Sequence, residues 1–543
     1  MKKNTFVEGT VIASISLIII KVLGAIYVIP FYSIVGELGG ALYSYAYTIY
    51  SLVLNICIIG IPPAISKIVS EYNTLEMYEA KERTLKIGNK IIIILSTFLF
   101  AITFLFAREL SYLFIGNNTG GNSIESIALV IRSISFCLLI VPLLAVKKGY
   151  LQGQKFISAT TNSQLYEQIV RIAFILFGSY LAINVFHYSY SIGVAVAVFG
   201  SFVGGLVAYL YLEYKIRKNK DLINLPAKNE KDNVSDKSIV NKIIKFSIPL
   251  IIVVMACDIY NITDIALINR GLTMIGYSGD NAETIASIIA TWASKICLIV
   301  NAIASALSIS MIPNMVSCVV KKDMKGVNDY FIKALGIVIL LGLPMATGIS
   351  ILANELYLIF YGYSEYGNII LRLLPFSVFL SNINLVINSA MQSLNKFKIM
   401  YLSTIIGLLT NAILDIPMIL LCDKIGIYPY YGAIISTIIG VIISLCISLT
   451  MIKKNLNFRY KQLFNIIIKC VYPTLIMGAF VFFIQYILSD TFNTRWTMLV
   501  TCGVCALVGM IVYFIIVYKN GILYGVFGKE YVDNVLSKFK LKK

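Results

Sequence analysis

Three basic residues, Lys21, Arg171 and Lys295, fall inside long apolar stretches. A charge at membrane depth costs a few kcal/mol unless it meets water, a partner or a ligand, so each one marks a place where something polar is expected. Lys21 and Lys295 stand too far from either end of their stretches to reach an interface easily. On the walls of one cavity they would hold an anionic ligand through its phosphates; as structural charges they would pair with nearby acids. Arg171 shares its stretch with Gln164, Glu167 and Gln168, and the four-residue step from Glu167 to Arg171 puts both on one helix face. That spacing predicts an internal ion pair, and the same polar stripe also suits a cavity wall.

The acids lie elsewhere. Asp258, Asn261 and Asp264 share one stretch, and Asn411 and Asp415 share one face of another. Carboxylates and amides gathered from two helices are oxygen ligands for sodium or carriers of protons, and Thr437 would add a hydroxyl. The plain alternative is hydrogen bonding between helices. Asn55, Asn382, Asn384 and Asn388 add amides that suit either sugar hydroxyls or packing.

Other chemistries find no support. His187 is the one histidine, so no zinc or catalytic cluster is built on imidazoles. The ten cysteines lie mostly in apolar stretches and do not read as a disulfide framework; Cys502 and Cys505 form a C-x-x-C without neighbouring His or acid. No G-x-x-x-x-G-K-[ST] loop occurs, so no cofactor is expected beyond sodium or proton coupling, and any transport would be driven by a gradient or by another protein.

The elements that must position these residues follow from composition. Of 543 residues 58% are hydrophobic and 13% charged, more apolar surface than one globular core absorbs. Apolar runs of roughly 20 residues match the thickness of a bilayer, and hydropathy gives about fourteen spans, numbered in chain order near 9–32, 43–66, 88–107, 124–146, 159–184, 189–212, 246–268, 284–312, 330–353, 369–392, 400–421, 430–452, 465–488 and 496–518. The net charge of +18 collects in short segments between spans. With both termini cytoplasmic, most Lys and Arg fall on the cytoplasmic side, as the positive-inside rule requires, which argues for a bacterial cytoplasmic membrane and against nucleic acid as a partner. Lys2 and Lys3 precede a span too long for a cleavable leader.

The chain is therefore expected to be an all-α membrane protein with two pseudo-symmetric six-helix lobes. Residues 1–214 form the first lobe, 215–245 a cytoplasmic linker rich in Lys, Asn and Asp, and 246–452 the second lobe. Residues 453–543 add two spans and an amphipathic tail from residue 528 that suits the membrane interface. Two motif pairs support duplication. Ile61-Pro62-Pro63-Ala64-Ile65-Ser66 matches Ile312-Pro313-Asn314-Met315-Val316-Ser317, each expected to close its span. Leu151-Gln152-Gly153-Gln154-Lys155-Phe156 matches Met391-Gln392-Ser393-Leu394-Asn395-Lys396-Phe397, read as one residue longer. Repeats running in the same direction imply a pseudo-twofold axis along the membrane normal.

Lys21-Val22-Leu23-Gly24, then Tyr27 to Gly36, Ala41-Leu42-Tyr43 and Gly60 to Lys67, resemble the opening of the polysaccharide-exporter branch of the MOP superfamily. The likeness is to the MurJ-type lipid II flippases and the stage V sporulation protein B group, and it extends over the chain through the span plan. The resemblance implies a carrier of an undecaprenyl-pyrophosphate-linked sugar precursor that works by alternating access, without covalent chemistry. It equates Lys21 to Gly24 with a first-span R-V-L-G motif and Lys295 with a cavity arginine, and it makes Asp264, Asn411 and Asp415 ligands of sodium. Lysine keeps the charge but lacks the bidentate fork of arginine. Tyr27 stands where a second first-span arginine is expected.

The expected partners are the undecaprenyl-linked glycolipid, membrane lipids and cell-wall synthesis proteins. The substrate-binding candidates are Lys21, Lys295, Arg171 and Glu167; those for ion coupling are Asp264, Asn411, Asp415, Thr437 and Asp258. A MATE-like exporter of small cations would instead need unpaired acids in the cavity, and a non-transporting envelope or spore-coat scaffold would need neither lysine.

Overall fold

The computed structural model describes residues 19–20, 23–24, 26–115, 121–154, 156–223, 234–320, 322–394, 396–456, 460–489 and 495–527. Every regular element among them is helical. This is the expected answer to an apolar solvent, in which backbone N–H and C=O groups must bond within their own element. Eleven runs are long and apolar enough to cross a membrane, and the bent pair Gly279–Ile296 with Leu298–Ser305 makes a twelfth when taken as one span. These coincide with expected spans two to six and eight to fourteen. Span seven falls within the helix Asp236–Met274. Most of span one, with Lys21, and the tail from residue 528 lie outside the described residues.

Span two is segmented. Gly36 adopts φ 70° and ψ −173°, a conformation that only glycine enters without strain, and it separates residues 28–35 from the rest of the helix Val28–Ile58. A second break follows, and the chain resumes as Ile61–Thr74 with Pro62 and Pro63 in the first turn. Their missing N–H groups have no intrahelical partner to lose there. The Ile61–Ser66 motif thus opens the last segment of span two, where sequence reading had it close the span. Its counterpart at Ile312–Ser317 sits within the unbroken helix Leu298–Val320.

Span four meets this segment at backbone distance. A Cβ on Gly149 would stand 2.4 Å from the Pro62 carbonyl oxygen, and one on Gly153 2.5 Å from that of Ser66. Lipid gives helices no hydrophobic reason to associate, so small residues four apart that let two backbones touch are a main source of packing energy.

The second motif pair folds alike. The Leu151 carbonyl accepts from the Phe156 N–H at 3.0 Å, and the Met391 carbonyl from the Lys396 N–H at 2.9 Å. Gln154 (φ −95°, ψ 7°) resembles Leu394 (φ −85°, ψ 2°), and Phe156 (φ −86°, ψ 58°) resembles Lys396 (φ −92°, ψ 45°). This register equates Phe156 with Lys396, so the second turn carries no extra residue, and Phe397 starts its helix as Ile157 does. The same register continues into the next helix pair of each half. Cβ atoms on Gly200 and Gly204 would lie 3.2 Å from the Arg171 carbonyl oxygen and 2.6 Å from that of Glu167. One on Gly440 would lie 3.1 Å from the Asn411 Cβ, and one on Gly407 2.9 Å from the Ser444 Cβ. Arg171 and Asn411 are therefore counterparts, as are Glu167 and Gly407.

Packing divides the chain into two compact units, Met1–Ser287 and Ile288–Lys543. In the first, Asp236–Met274 lies against Val28–Ile58 and Ile61–Thr74; in the second, Phe397–Lys424 and Tyr430–Leu456 pair along their lengths. The repeats describe sequence correspondence and the units describe contact, so the helix that begins the second repeat packs with the first unit. Both described ends of the 215–245 segment are anchored. Ile223, Ile239 and Ile243 join a core with Ile68, Val69, Tyr72 and Leu151. The fully buried Lys81 donates to the Ile223 carbonyl at 2.6 Å and to Gln154 Oε1 at 3.3 Å, which compensates the burial of its charge.

Gly149→Leu is expected to lower the unfolding temperature of the detergent-solubilised protein, by overpacking worth about 1–3 kcal/mol. Gly503→Leu, where a Cβ meets nothing within 4 Å, should leave the temperature unchanged. Equal melting of both variants with wild type would show that the span-four contact is not a packing point.

Candidate functional site

The helix Ile157–Tyr180 carries the polar stripe of span five. Glu167 does not pair with Arg171, four residues on. Its carboxylate accepts from Lys148 Nζ at 2.8 Å across the span-four interface. Arg171 donates to Gln168 Oε1 and makes no ion pair among the described residues. The expected internal pair is thus corrected. Lys148 approaches from a neighbouring helix, whereas Glu167 and Arg171 share the stretch of backbone that Gly200 and Gly204 press upon.

Sequence reading missed Lys148 because span four was closed at residue 146, leaving Lys147 and Lys148 as flanking charges. The helix Cys137–Gly153 continues past both. Successive helical residues point about 100° apart, so the two lysines serve different neighbours. Lys147 pairs with Glu213 of span six and lies 3.9 Å from the Tyr209 ring centroid; Glu213 also accepts from Arg217 at 2.8 Å.

Tyrosines surround Arg171. Tyr43 and Tyr47 stack with centroids 5.7 Å apart and planes 11° from parallel, and Tyr50 follows at 6.0 Å from Tyr47. The Tyr27 and Tyr43 hydroxyls meet at 3.1 Å. The Arg171 charge interacts electrostatically with Glu167 first and then with Tyr47, Tyr27 and Tyr50. Gly24 stands beside the same group, since a Cβ there would lie 3.4 Å from Gln168 Nε2. The Lys21 to Gly24 motif therefore ends against the span-five stripe. These tyrosines read in the sequence as ordinary apolar filling, and their spacing of four and three residues was the available signal.

Lys295 follows a π-helical turn, Ile288–Trp292, of the kind that re-aims side chains. Its ammonium lies 4.4 Å from the Trp292 ring centroid, a cation–π contact. The Trp292 carbonyl accepts from the Tyr361 hydroxyl at 2.8 Å, which fixes that turn.

The acids divide between the compact units. In the first, Asp258 accepts from Asn55 Nδ2 at 2.8 Å, and Asp264 accepts from the Tyr260 hydroxyl at 3.4 Å. In the second, Asn411 Nδ2 lies 3.5 Å from Asp415 Oδ2, and both residues are buried. A hydroxyl that meets Asp415 is that of Ser436, one position before the anticipated Thr437. Thr437 donates to the Ala433 carbonyl at 3.0 Å. Asn384 donates to Ser444 at 3.2 Å, a helix-to-helix bond. Among the described residues no group of His, Cys, Asp and Glu could hold a metal ion, and the nine described cysteines are free thiols.

A family model described as polysaccharide biosynthesis protein matches residues 6–316. The lipid II flippase MurJ of Bacillus subtilis (strain 168) is 30% identical over 539 residues, 97% of this chain and 97% of that protein. Among solved structures, lipid II flippase MurJ in an inward closed conformation aligns with a TM-score of 0.66 at 17% identity, over 96% of this chain and 100% of that one. An outward-facing multidrug resistance MATE transporter of the MOP superfamily aligns with a TM-score of 0.60 at 14% identity, over 83% and 96%. At these identities the structural likeness is one of fold.

Removing Lys148 alone leaves a carboxylate unpaired in a mostly buried place, a loss of about 3 kcal/mol for such pairs. Lys148→Ala should therefore melt earlier than wild type, and Lys148→Ala/Glu167→Gln should recover part of the loss, with a coupling of at least ~0.5 kcal/mol. Strictly additive effects would mean that the two side chains do not depend on each other.

Proposed function

The chain belongs to the polysaccharide biosynthesis protein family, and on that premise we propose that it is a lipid II flippase, moving an undecaprenyl-pyrophosphate-linked cell-wall precursor across the membrane by alternating access. The observation that carries this reading is the 30% identity to a lipid II flippase over 97% of both chains. It is a multi-pass membrane transporter and not an enzyme: no bond is made or broken, and the work is binding in one orientation and release in another.

In this reading Lys21 and Lys295 hold the pyrophosphate as point charges, and the Trp292 ring keeps the Lys295 ammonium in place before substrate arrives. Arg171 offers a guanidinium to a further anionic group of the substrate. Lys148 takes the direct hydrogen bond of Glu167, so that carboxylate offsets the Arg171 charge only in part. Coupling to a sodium or proton gradient falls to Asn411 and Asp415 with Ser436 and Thr437, and to Asp258 and Asp264 on span seven. An anionic acid paired with neutral oxygens suits a small monovalent cation better than a lone hydrogen bond would. Both termini face the cytoplasm of a bacterial cell, and the proteins that make and consume the precursor are its neighbours.

Cells depleted of their own lipid II flippase provide the test. Wild type should restore growth, while Lys21→Ala and Lys295→Ala, present in the membrane at equal abundance, should not. Failure of abundant wild type would point to another lipid-linked glycan or to export of small cations, and rescue by both variants would remove the lysines from the site. In vesicles holding a sodium or proton gradient, flipping by wild type should be accelerated and flipping by Asp415→Asn should not. Equal acceleration of both would place coupling elsewhere.

A further inference from the structure

We infer that Tyr43, Tyr47 and Tyr50, with Tyr27 and Arg171, form a carbohydrate platform within the first compact unit, on which a pyranose ring lies against Tyr47 while its anionic substituent meets Arg171. This inference rests on the flippase reading and adds where the sugar is held.

The three residues step by four and then three along span two, which places their side chains on one helix face. Tyr47 is the exposed member, at 42% of its surface, while Tyr43 and Tyr50 beneath it are 5% and 6% exposed. The Tyr43 ring backs Tyr47 in a near-parallel stack, so the outer ring is held flat. A pyranose has a face of C–H groups and an edge of hydroxyls. The C–H face suits the negative face of a supported aromatic ring, and the hydroxyl edge needs donors and acceptors around the rim.

The rim is present. Neither the Tyr50 nor the Tyr47 hydroxyl has a hydrogen-bond partner among the described residues, and neither oxygen is sealed inside the protein: Tyr47 is 42% exposed, and Tyr50, though its ring is buried, keeps its hydroxyl accessible. Both hydroxyls lie within electrostatic reach of Arg171. That guanidinium, half-buried at membrane depth, has a neutral amide at Gln168 and no carboxylate within 4.0 Å among the described residues. Glu167, the acid nearest in sequence, is taken by Lys148 at 2.8 Å. The Tyr50 phenol, the Gln168 amide and a guanidinium that shares its nearest acid, Glu167, with Lys148 gather around the Tyr47 ring. Packing alone does not require that set, because phenylalanine would pack as well and leave no polar group to desolvate. A sugar bearing a phosphate or carboxylate satisfies all of them at once. Gly24, which closes the Lys21 to Gly24 motif, stands against Gln168, so a glycan on the platform lies beside the segment proposed to hold its pyrophosphate.

The test uses purified full-length protein in lipid nanodiscs and two probes, lipid II and undecaprenyl pyrophosphate without sugar. Wild type should bind lipid II about ten-fold more tightly than the sugarless lipid. Tyr47→Ala and Tyr50→Phe should each lose most of that preference while binding undecaprenyl pyrophosphate as wild type does, with unchanged melting temperature. Tyr50→Phe removes one oxygen and keeps the ring, so its effect does not depend on a fold change. Retention of the full preference by both variants would overturn the platform and leave the flippase reading standing. Absence of any sugar preference in wild type would overturn the platform as well. If wild type binds neither lipid, both the platform and the flippase reading fall.

Discussion

In a hydrocarbon solvent, apolar side chains gain nothing by touching one another rather than lipid, so helices must be held by contacts that lipid cannot imitate. Here those contacts are made by backbone against backbone at small residues. Gly149 and Gly153 seat span four on Pro62 and Ser66, Gly200 and Gly204 seat span six on Glu167 and Arg171, and Gly407 and Gly440 bring spans eleven and twelve together. Each junction sets where polar side chains emerge. Lys148 reaches Glu167, and Ser436 reaches Asp415, because the helices that carry them approach to within a few ångströms of one another's main chain. The site chemistry is thus a by-product of close packing.

The duplicated junction also shows how one scaffold serves two chemistries. Arg171 and Asn411 occupy equivalent places, as do Glu167 and Gly407. Around the first the chain has gathered a lysine, an acid and a guanidinium; around the second, a buried amide, a buried acid and a hydroxyl. One copy suits an anion and the other a cation. The backbone register is shared by both, so a change of side chains alone gives the two copies opposite polar character.

Much of this was legible in the sequence. Spans are one-dimensional objects whose length and apolarity survive any packing, and the repeat at Leu151 and Met391 is visible as letters before it is seen as a turn. Residues that share a helix face were also placed correctly, including Asn411 with Asp415. What could not be read is which neighbour a side chain chooses. Glu167 had Arg171 at an ideal spacing yet took Lys148, which the helix Cys137–Gly153 carries beyond residue 146, where hydropathy closes span four. Ser436, one position before Thr437, meets Asp415, and nothing in the letters marks it out. Prolines at 62 and 63 signal an interruption without saying whether a helix ends or begins there. The tyrosines of span two are apolar by count and polar by placement, and only placement distinguishes the two.

Lys81 fastens the main chain at Ile223, and the helix that follows the linker is fixed nearby by Ile239, Ile243 and the bond between Arg83 and Asp236. The described residues on either side of this connection are therefore held by a single compact unit. Doubling the length of such a loop costs only about 0.6 kcal/mol in closure entropy. Evolution is consequently free to lengthen, shorten or recharge this stretch while the helices keep their register, and relatives should differ there first. For the same reason it is the natural place to splice a fluorescent reporter into the middle of the chain.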